Sequence, residues 1–402
     1  MLREETTARS IDPFAPARLG PLELRNRIVK AATFEGATPK HVVSDRLIAF
    51  HRRVAAGGVG MTTVAYCAVS ADGCGTPNEI ILGDEALPGL RKLADAIHRE
   101  GAAVAIQIGH AGAVAAATGR RGLSPSPIWS PMAMRRTRAV TEEELARIAG
   151  DFGRAARIVA EAGCDAVEVH LGHGYLLSEF LSPRLNRRSD RFGGSLENRA
   201  RFPRDVVRAV REAAGPRLAV TAKLNMADGV PGGLWLDESV AVARMLEADG
   251  ALDALELTGG SSLENPMYLF RGEAPIHEMA AAMPQPIRTL FRLFGKRFLP
   301  TYPYEEAYFL PYARQFRAAL RMPLILLGGI SRIETIERAL TEGFEFVAMG
   351  RALLREPDLV EKLRSGASRA SLCVHCNKCM PTIYRGTHCV LAPPGGADPH
   401  PS

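Results

Sequence analysis

Two kinds of apolar pattern alternate along the chain. Short runs rich in β-branched residues are typical of buried strands, and longer stretches with one apolar side are typical of amphipathic helices. The predicted strands lie at 28–33, 59–66, 102–108, 165–170, 217–224, 253–258, 323–327 and 344–348. The predicted helices lie at 44–56, 86–100, 142–162, 196–213, 237–248 and 332–341. Eight alternations predict an α/β fold with a parallel sheet and helical crossovers, and eight strands close a (β/α)8 TIM barrel.

Three segments extend beyond a minimal barrel. Residues 15–25 alternate apolar and polar around a Gly-Pro pair, which predicts an N-terminal hairpin. Residues 263–316 form a long insertion after the sixth strand, rich in Tyr and Phe. We therefore expect a barrel domain over residues 1–362, with 263–316 as a lid-like insertion, and a Cys-rich C-terminal extension over 363–402.

Within the insertion, apolar residues recur at helical spacing with basic residues between them. The apolar set is Ile287, Leu290, Phe291, Phe294 and Phe298, and the basic set is Arg288, Arg292, Lys296 and Arg297. One interpretation is a lid helix that packs on the barrel rim. The other is a basic amphipathic helix that docks on a membrane surface or an anionic substrate.

Composition is that of an ordinary globular enzyme, with 47% hydrophobic and 23% charged residues. The 50 basic and 44 acidic side chains are spread along the chain, so no nucleic-acid partner is indicated. No apolar run approaches membrane-spanning length, and the N-terminus lacks the apolar core of a signal peptide, so we expect a cytoplasmic protein without a membrane span. Nothing in these patterns decides between a monomer and a homo-oligomer.

The stretch 167–175 carries the densest chemistry. It begins with the β-branched content of a buried strand, and two glycines then end that strand. His170, His173 and Tyr175 therefore crowd one strand–loop junction. Ligands of a barrel bind at the carboxyl ends of its strands, so these three residues are candidate catalytic residues, with ordinary structural histidines as the alternative.

A longer signature surrounds these residues. It continues through Phe180-Leu-Ser-Pro183 and through 186–201, which contains Phe-Gly-Gly-Ser-Leu-Glu-Asn-Arg. The whole resembles the Old Yellow Enzyme family of FMN-dependent ene-reductases, in which His-x-x-His (or His-x-x-Asn) before Gly-Tyr opens a signature ending in Tyr/Phe-Gly-Gly-Ser-x-x-Asn-Arg. The resemblance covers residues 12–360 and implies a single FMN-containing barrel.

The resemblance implies roles for the three candidate residues. His170 and His173 would donate N–H groups to the carbonyl oxygen of the substrate, as an oxyanion hole does. Tyr175 would protonate the α-carbon after flavin delivers hydride to the β-carbon. The implied reaction is NAD(P)H-dependent reduction of the C=C bond of an α,β-unsaturated carbonyl compound, or of another electrophile such as a quinone or nitro compound.

NAD(P)H and the small electron-poor alkene would share one opening. No Gly-x-Gly-x-x-Gly fingerprint marks a separate dinucleotide domain in the sequence. A single opening for both reactants predicts ping-pong turnover.

The resemblance also implies FMN contacts at several strand ends. Gln107 would hydrogen-bond the flavin pyrimidine ring, Lys223 would lie beside flavin N1, and glycine backbones with an arginine after the last two strands would hold the phosphate. The predicted cofactor-binding residues are Ala32, Thr33, Gln107, Lys223, Gly328, Gly329, Gly350 and Arg351. Phe34 departs from the family, which has Cys, Thr or His at the position that tunes the flavin potential.

Lys223 also makes a structural prediction. A lysine inside a barrel strand needs a negative partner. The two-residue alternation of a strand puts Glu168 on the same face as His170, and Lys223 points inward from the neighbouring strand. We therefore predict an ion pair between Glu168 and Lys223, which can coexist with a role beside the flavin.

Four of the seven cysteines fall after residue 372, namely Cys373, Cys376, Cys379 and Cys389. Three cysteines at Cys-x-x-Cys spacing with a distant fourth have metal-ligand spacing. Dienoyl-CoA-reductase-like relatives carry a [4Fe–4S] site after the barrel, with longer third and fourth spacings. An iron–sulfur cluster, a zinc ion and a metal-free thiol cluster are all compatible with this sequence.

Two other functions are compatible with a barrel of this kind. A metal-dependent hydrolase or lyase could use His170 and His173 as ligands, although the predicted strand ends show no further carboxylate cluster. A flavin-binding protein without turnover is the non-enzymatic alternative, although the presence of both histidines and Tyr175 argues against it.

Overall fold

Eight parallel strands form a closed barrel in the computed structural model of the protein, which describes residues 11–117, 119 and 121–392. The strands are β1 (Ile28–Lys30), β2 (Met61–Ala68), β3 (Ala103–Gly109), β4 (Ala166–Leu171), β5 (Ala219–Asn225), β6 (Ala254–Thr258), β7 (Leu324–Leu326) and β8 (Phe346–Met349). Each strand pairs with its neighbours in chain order, and β1 pairs with both β8 and β2, which closes the ring. The (β/α)8 prediction is confirmed.

Helices connect the strands and build the insertion. They are α1 (Asp45–Ala56), α2 (Leu87–His98), α3 (Glu142–Glu161), α4 (Leu176–Leu181), α5 (Leu196–Ala214), α6 (Leu236–Asp249), α7 (Pro266–Phe270), α8 (Ile276–Ala281), α9 (Ile287–Phe298), α10 (Leu310–Ala319), α11 (Ile333–Thr341), α12 (Arg351–Arg355) and α13 (Leu359–Arg364). The six predicted barrel helices are confirmed. The first strand is shorter than predicted, because the chain leaves the sheet after Lys30.

Local sequence signals fix where two barrel helices begin. At the start of α3, the Thr141 hydroxyl accepts from Glu144 N at 3.3 Å, and the Glu144 carboxylate accepts from Thr141 N at 3.0 Å. This reciprocal cap satisfies N–H groups that the first turn of a helix leaves unpaired. Ser195 caps α5 by accepting from Asn198 N. The glycine-rich signature therefore ends in an ordered helix start.

The predicted N-terminal hairpin is confirmed and lies at the bottom of the barrel. Its strands Ala17–Leu19 and Leu22–Leu24 pair antiparallel. Leu19 and Leu24 are fully buried in a cluster with alanines at the amino ends of the barrel strands, namely Ala105, Ala166, Ala219 and Ala254. Small side chains there leave room for the hairpin leucines. The bottom is thus packed, and the opposite end is where a ligand can enter.

The insertion contributes three short-to-medium helices, α7 to α9, before α10 returns the chain to the barrel. The helix predicted in the insertion is confirmed as α9, but four of its five predicted apolar residues are not packed on the rim as expected of a lid. Ile287, Leu290, Phe294 and Phe298 are all exposed. Among the described residues, no helix has the length and apolar character needed to span a bilayer.

The C-terminal segment crosses the barrel mouth after α13. Near its start, Ser371 N donates to Ser331 O at 2.9 Å. Near its end, Thr387 N donates to Glu35 O at 2.7 Å, and the Thr387 hydroxyl donates to Phe34 O. The segment therefore reaches from the loop after β7 to the loop after β1. The domain boundary at 362/363 stays a prediction, and residues 393–402 lie outside the described part of the chain.

Candidate active site

The turn after β4 brings His170 and His173 together. His173 has a positive φ of 60°, and Gly174 follows with a φ of 72°. A Cβ at Gly174 would lie 2.7 Å from Ser261 Oγ, so only glycine fits there. The tight turn places the two imidazole rings 4.9 Å apart between centroids.

Polar groups of the two neighbouring strands hold His173 in place. Its backbone N–H donates to Asn225 Oδ1 at 3.1 Å, at the end of β5. Its Nε2 lies 2.9 Å from Thr258 Oγ1, at the end of β6. If Nε2 accepts from this hydroxyl, Nδ1 carries the proton. The orientation of the His173 ring is thus set by residues at the ends of β5 and β6.

His170 has a buried nitrogen without a partner. The side chain is 3% exposed, and its Nδ1 meets no hydrogen-bond partner within the described residues. Buried polar atoms in proteins are almost always paired, so an unpaired one at a strand end is a mark of a ligand site.

Tyr175 and Tyr66 complete an aromatic cluster with His170. The Tyr175 ring lies 4.7 Å from the His170 ring and 5.0 Å from the Tyr66 ring, between centroids. The Tyr66 hydroxyl donates to Gly73 O at 3.2 Å. The structure thus brings together all three catalytic residues predicted from the sequence. Tyr66 was missed, because no pattern within β2 links it to the distant signature.

Burial favours the neutral form of both imidazoles and of the Tyr175 phenol. Burial, reinforced by the positive charge of Lys223, lowers the pKa of His173 to about 3. Burial, with His173 and Lys223 nearby, holds the pKa of His170 well below its usual range. Burial, with the charge of Glu79, raises the pKa of Tyr175. At neutral pH the site therefore holds two neutral imidazoles and a neutral phenol.

Lys223 lies between two carboxylates inside the barrel. Its Nζ lies 2.8 Å from Glu168 Oε1, which confirms the predicted pair, and 2.9 Å from Glu256 Oε1. Burial alone would lower the pKa of Lys223, but the two carboxylates outweigh it and raise that pKa. Burial and the charge of Glu168 raise the pKa of Glu256 to about 8. Lys223 is therefore charged at neutral pH and forms its buried ion pair with Glu168.

Gln107 belongs to the same buried network. Its Nε2 donates to Glu168 Oε1 at 2.7 Å. Register explains the contact, because Gln107 and Glu168 are paired positions on β3 and β4. Glu256 was missed, although it is the register partner of Lys223 across β5 and β6. A search for charged residues at matching strand positions would have found it.

The loops after β7 and β8 meet at the predicted phosphate site. Gly328 and Gly329 have φ values of 113° and 72°, and a Cβ on either would enter an aromatic ring of the insertion. A Cβ on Gly350 would lie 3.4 Å from Thr33 Cγ2, so the loops after β8 and β1 are adjacent. Within the described part of the chain, the backbone N–H groups of Gly329 and Gly350 donate to no acceptor. These unpaired donors could face an anion.

Arg351 is tied to the C-terminal segment. Its guanidinium donates to Asn377 Oδ1 and, at 3.2 Å, to Arg271 O. Asn377 Nδ2 in turn donates to Arg271 O and Glu273 O at 2.8 and 2.9 Å. Ala32 lies half-buried in the loop after β1. The structure thus gathers every predicted cofactor-binding residue at the carboxyl end of the barrel, but it gives Arg351 protein partners that the sequence did not predict.

The four tail cysteines surround one small cavity beside Arg351. Cys373, Cys376, Cys379 and Cys389 all line it, each is partly buried, and none forms a disulfide. Burial raises the pKa of Cys373, and burial raises that of Cys379 to about 11. Across residues 11–117, 119 and 121–392, no three His, Cys, Asp or Glu side chains are placed so that they could hold a metal ion together. The metal site stays a prediction.

Comparison with known proteins decides the family. The sequence profile of the NADH:flavin oxidoreductase / NADH oxidase family matches residues 12–256. The chain belongs to this family. It is an FMN-dependent NAD(P)H oxidoreductase, as the resemblance of residues 167–201 predicted. The alternative interpretation of the barrel as a metal-dependent hydrolase or lyase is therefore replaced.

Relatives of the chain differ in length and in named activity. It is 59% identical over 388 residues to a 4,4'-dithiodibutanoate disulfide reductase of Rhodococcus erythropolis, covering 96% of each chain. It is 34% identical to a metal reductase of Desulforamulus reducens, covering 92% of this chain and 52% of that one. A structure of 2-naphthoyl-CoA reductase with 2-naphthoyl-CoA superposes with a TM-score of 0.77 at 27% identity, over 91% of this chain and 54% of the other. The chain thus spans about half the length of the latter two.

The residues at the barrel mouth fit FMN. The predicted phosphate site offers the unpaired N–H groups of Gly329 and Gly350. The predicted ring site offers the buried charge of Lys223 and the amide of Gln107, both of which also bond to Glu168. An anionic phosphate and a polar pyrimidine ring require donors of these two kinds.

Proposed function

We propose that the chain is an ene-reductase, which uses NAD(P)H to reduce the C=C bond of an α,β-unsaturated carbonyl compound. The observation that carries this proposal is the cluster of His170, His173 and Tyr175, with the unpaired Nδ1 of His170 buried within it. FMN, when bound, accepts hydride from NAD(P)H and supplies it to the acceptor.

FMN would be held by the residues gathered at the barrel mouth. Gln107, Lys223, Ala32 and Thr33 would bind the ring system. Gly328, Gly329, Gly350 and Arg351 would bind the phosphate, and Arg351 would then hold the C-terminal segment against the cofactor through Asn377. The positive charge of Lys223 favours electron-rich ring atoms nearby.

The two histidines would bind the carbonyl oxygen of the acceptor. Negative charge develops on this oxygen as hydride reaches the β-carbon. A neutral imidazole keeps one N–H donor, and the low pKa of His173, about 3, keeps that ring neutral at physiological pH. Thr258 and Asn225 fix the orientation of His173 before the substrate arrives, so little reorganisation is needed.

Tyr175 would supply the proton. Hydride added to the β-carbon leaves an enolate, and a proton added to the α-carbon completes the saturated ketone. The phenol of Tyr175 stays protonated at neutral pH, because burial raises its pKa. It is half-buried beside His170 and therefore faces the same substrate.

A disulfide is the second candidate acceptor. The named activity of the relative that is 59% identical over nearly the whole chain supports it. Two electrons and two protons convert a disulfide into two thiols. The same donors at His170 and His173 could stabilise a departing thiolate.

Anaerobic turnover with each acceptor tests the proposal. FMN-loaded enzyme and NADPH would be given cyclohexenone or 4,4'-dithiodibutanoate, and cyclohexanone or free thiol would be quantified. Saturated ketone formed in proportion to NADPH supports the ene-reductase. Formation of thiol without ketone would favour the disulfide as the acceptor. If neither ketone nor thiol forms, both candidate activities are overturned. Parallel double-reciprocal plots would support ping-pong turnover.

A further inference from the structure

Helix α9 presents an uncovered apolar face. Five of its apolar side chains are between 49% and 70% exposed, namely Ile287, Leu290, Leu293, Phe294 and Phe298. They recur at intervals of three and four residues, so most of them lie along one side of the helix. A contiguous apolar face of this kind marks an interaction site when it lies on the surface of a folded protein.

The helix touches the rest of the protein by only one edge of its apolar side. Gly295 is its one buried residue, and a Cβ there would lie 3.1 Å from Ile276 Cγ2 of α8. Phe291 is half-buried against a small cluster that contains Met267, Ile276 and Leu299. The contact is enough to position α9, and it leaves the five exposed side chains pointing away from the protein.

Positive charge surrounds this face. Between its apolar residues α9 carries Arg288, Arg292, Lys296 and Arg297 and no acidic residue. Arg288 donates to the carbonyls of Ala281 and Met283. The other three form no ion pair with any part of the chain that the structure describes. The twelve residues of α9 therefore carry four cations and no anion.

Charge decides which partner fits. Two copies of α9 face to face would bring eight positive charges together in a desolvated contact, which disfavours self-association. An anionic lipid surface satisfies both features at once, because acyl chains receive the apolar side chains and lipid headgroups neutralise the cations. We propose that α9 is an interfacial anchor that binds the enzyme peripherally to bilayers rich in anionic phospholipid.

Vesicle sedimentation tests the proposal. The full-length FMN-loaded enzyme would be mixed with vesicles of phosphatidylcholine alone, or of phosphatidylcholine and phosphatidylglycerol in equal parts. We expect sedimentation with the anionic vesicles only, and its loss in high salt, because screening weakens charge attraction. The proposal is overturned if the enzyme does not bind the anionic vesicles, or if it binds both kinds of vesicle equally.

Variants locate the binding to α9. The triple change L290S, L293S and F294S should weaken binding at least tenfold, and so should R292E with K296E. These side chains are exposed, so flavin absorbance and turnover should be retained. The matched control is Met132→Ser, since Met132 is 51% and Leu290 is 54% exposed. Unchanged binding by the triple variant contradicts the proposal. A concentration-dependent dimer that the triple variant abolishes would replace the lipid surface with a second copy.

Discussion

Lys223 Nζ lies 2.8 Å from Glu168 Oε1, and the same nitrogen lies 2.9 Å from Glu256 Oε1 on the other side. Three ionisable side chains on adjacent strands therefore lie together in one fully buried network. Because burial and the charge of Glu168 raise the pKa of Glu256 to about 8, Glu256 is mostly protonated at neutral pH. The charge balance of this buried network therefore depends on Lys223, Glu168 and Glu256 together.

Removing Lys223 should destabilise the barrel. Lys223→Met leaves the Glu168 carboxylate buried without its cation, which typically costs about 3–5 kcal/mol. Adding Glu168→Gln removes that charge, so the double variant should regain part of the loss. Urea denaturation of the FMN-loaded proteins measures both. A loss below about 1 kcal/mol in the single variant, the range of an exposed pair, would contradict the buried ion pair.

Replacing Tyr175 should separate the two candidate acceptors. Tyr175→Phe removes the proposed acid and should slow cyclohexenone reduction by about 10²–10⁴-fold. Disulfide reduction should change far less, because a thiolate is a stable leaving group near neutral pH. Stopped-flow absorbance would follow each step. Tyr66→Phe is the control, since its hydroxyl donates to Gly73 O. An unchanged rate with cyclohexenone in Tyr175→Phe would remove the proposed acid.

The histidines should make the fold sensitive to acid. The pKa of His173 is about 3 in the folded chain against an ordinary value of 6.5, so the unfolded chain binds more protons between these values. Stability should therefore rise with pH across that window and fall as pH drops below 6.5. From pH 6.5 to 5 the loss from His173 is about 2 kcal/mol. His173→Asn should flatten this slope, and His277→Asn, a change at an exposed side chain of α8, is the matched control.

Asn377 should hold the cysteine segment in place. Its amide bonds to Arg271 O and Glu273 O, and its oxygen accepts from Arg351. Asn377→Asp removes both N–H donors and should lower stability by about 1–3 kcal/mol. The tail thiols should then react with a disulfide dye at least tenfold faster. Lys378→Ala is the control, because this half-buried neighbour pairs with Glu278 and not with Arg271, Glu273 or Arg351.

The iron and zinc content of fresh protein should be measured together with the dye reaction. Iron or zinc bound in stoichiometric amount would make the thiols of Asn377→Asp and Lys378→Ala unreactive and would support the predicted metal site. Equal dye rates in metal-free Asn377→Asp and wild-type protein would contradict the positioning role of Asn377.

The barrel and the catalytic cluster were predictable because their signals are local. Strand and helix periodicity predicted all eight barrel strands and six of the helices, and His170, His173 and Tyr175 lie within six residues of one another. The pair of Glu168 and Lys223 followed from side-chain alternation on neighbouring strands. Such inferences need only the order of the strands.

The interactions that were not predicted from the sequence depend on contacts between segments that are distant along the chain. Glu256 joins Lys223 through strand register, and Tyr66 meets Tyr175 through ring packing across the mouth. Arg351 bonds to Asn377 because the C-terminal segment folds back over the barrel. Periodicity also located α9, but it could not tell whether its apolar side faces the protein or the solvent.

The visible spectrum under anaerobic conditions tests the central claim most directly. We predict a yellow protein whose flavin absorbance is bleached by NADPH and restored by cyclohexenone or 4,4'-dithiodibutanoate without oxygen. Restoration by either acceptor would show that electrons pass from NADPH through this barrel to an organic electrophile. A protein that stays colourless with added FMN, or whose bleached flavin neither acceptor reoxidises, would contradict the account.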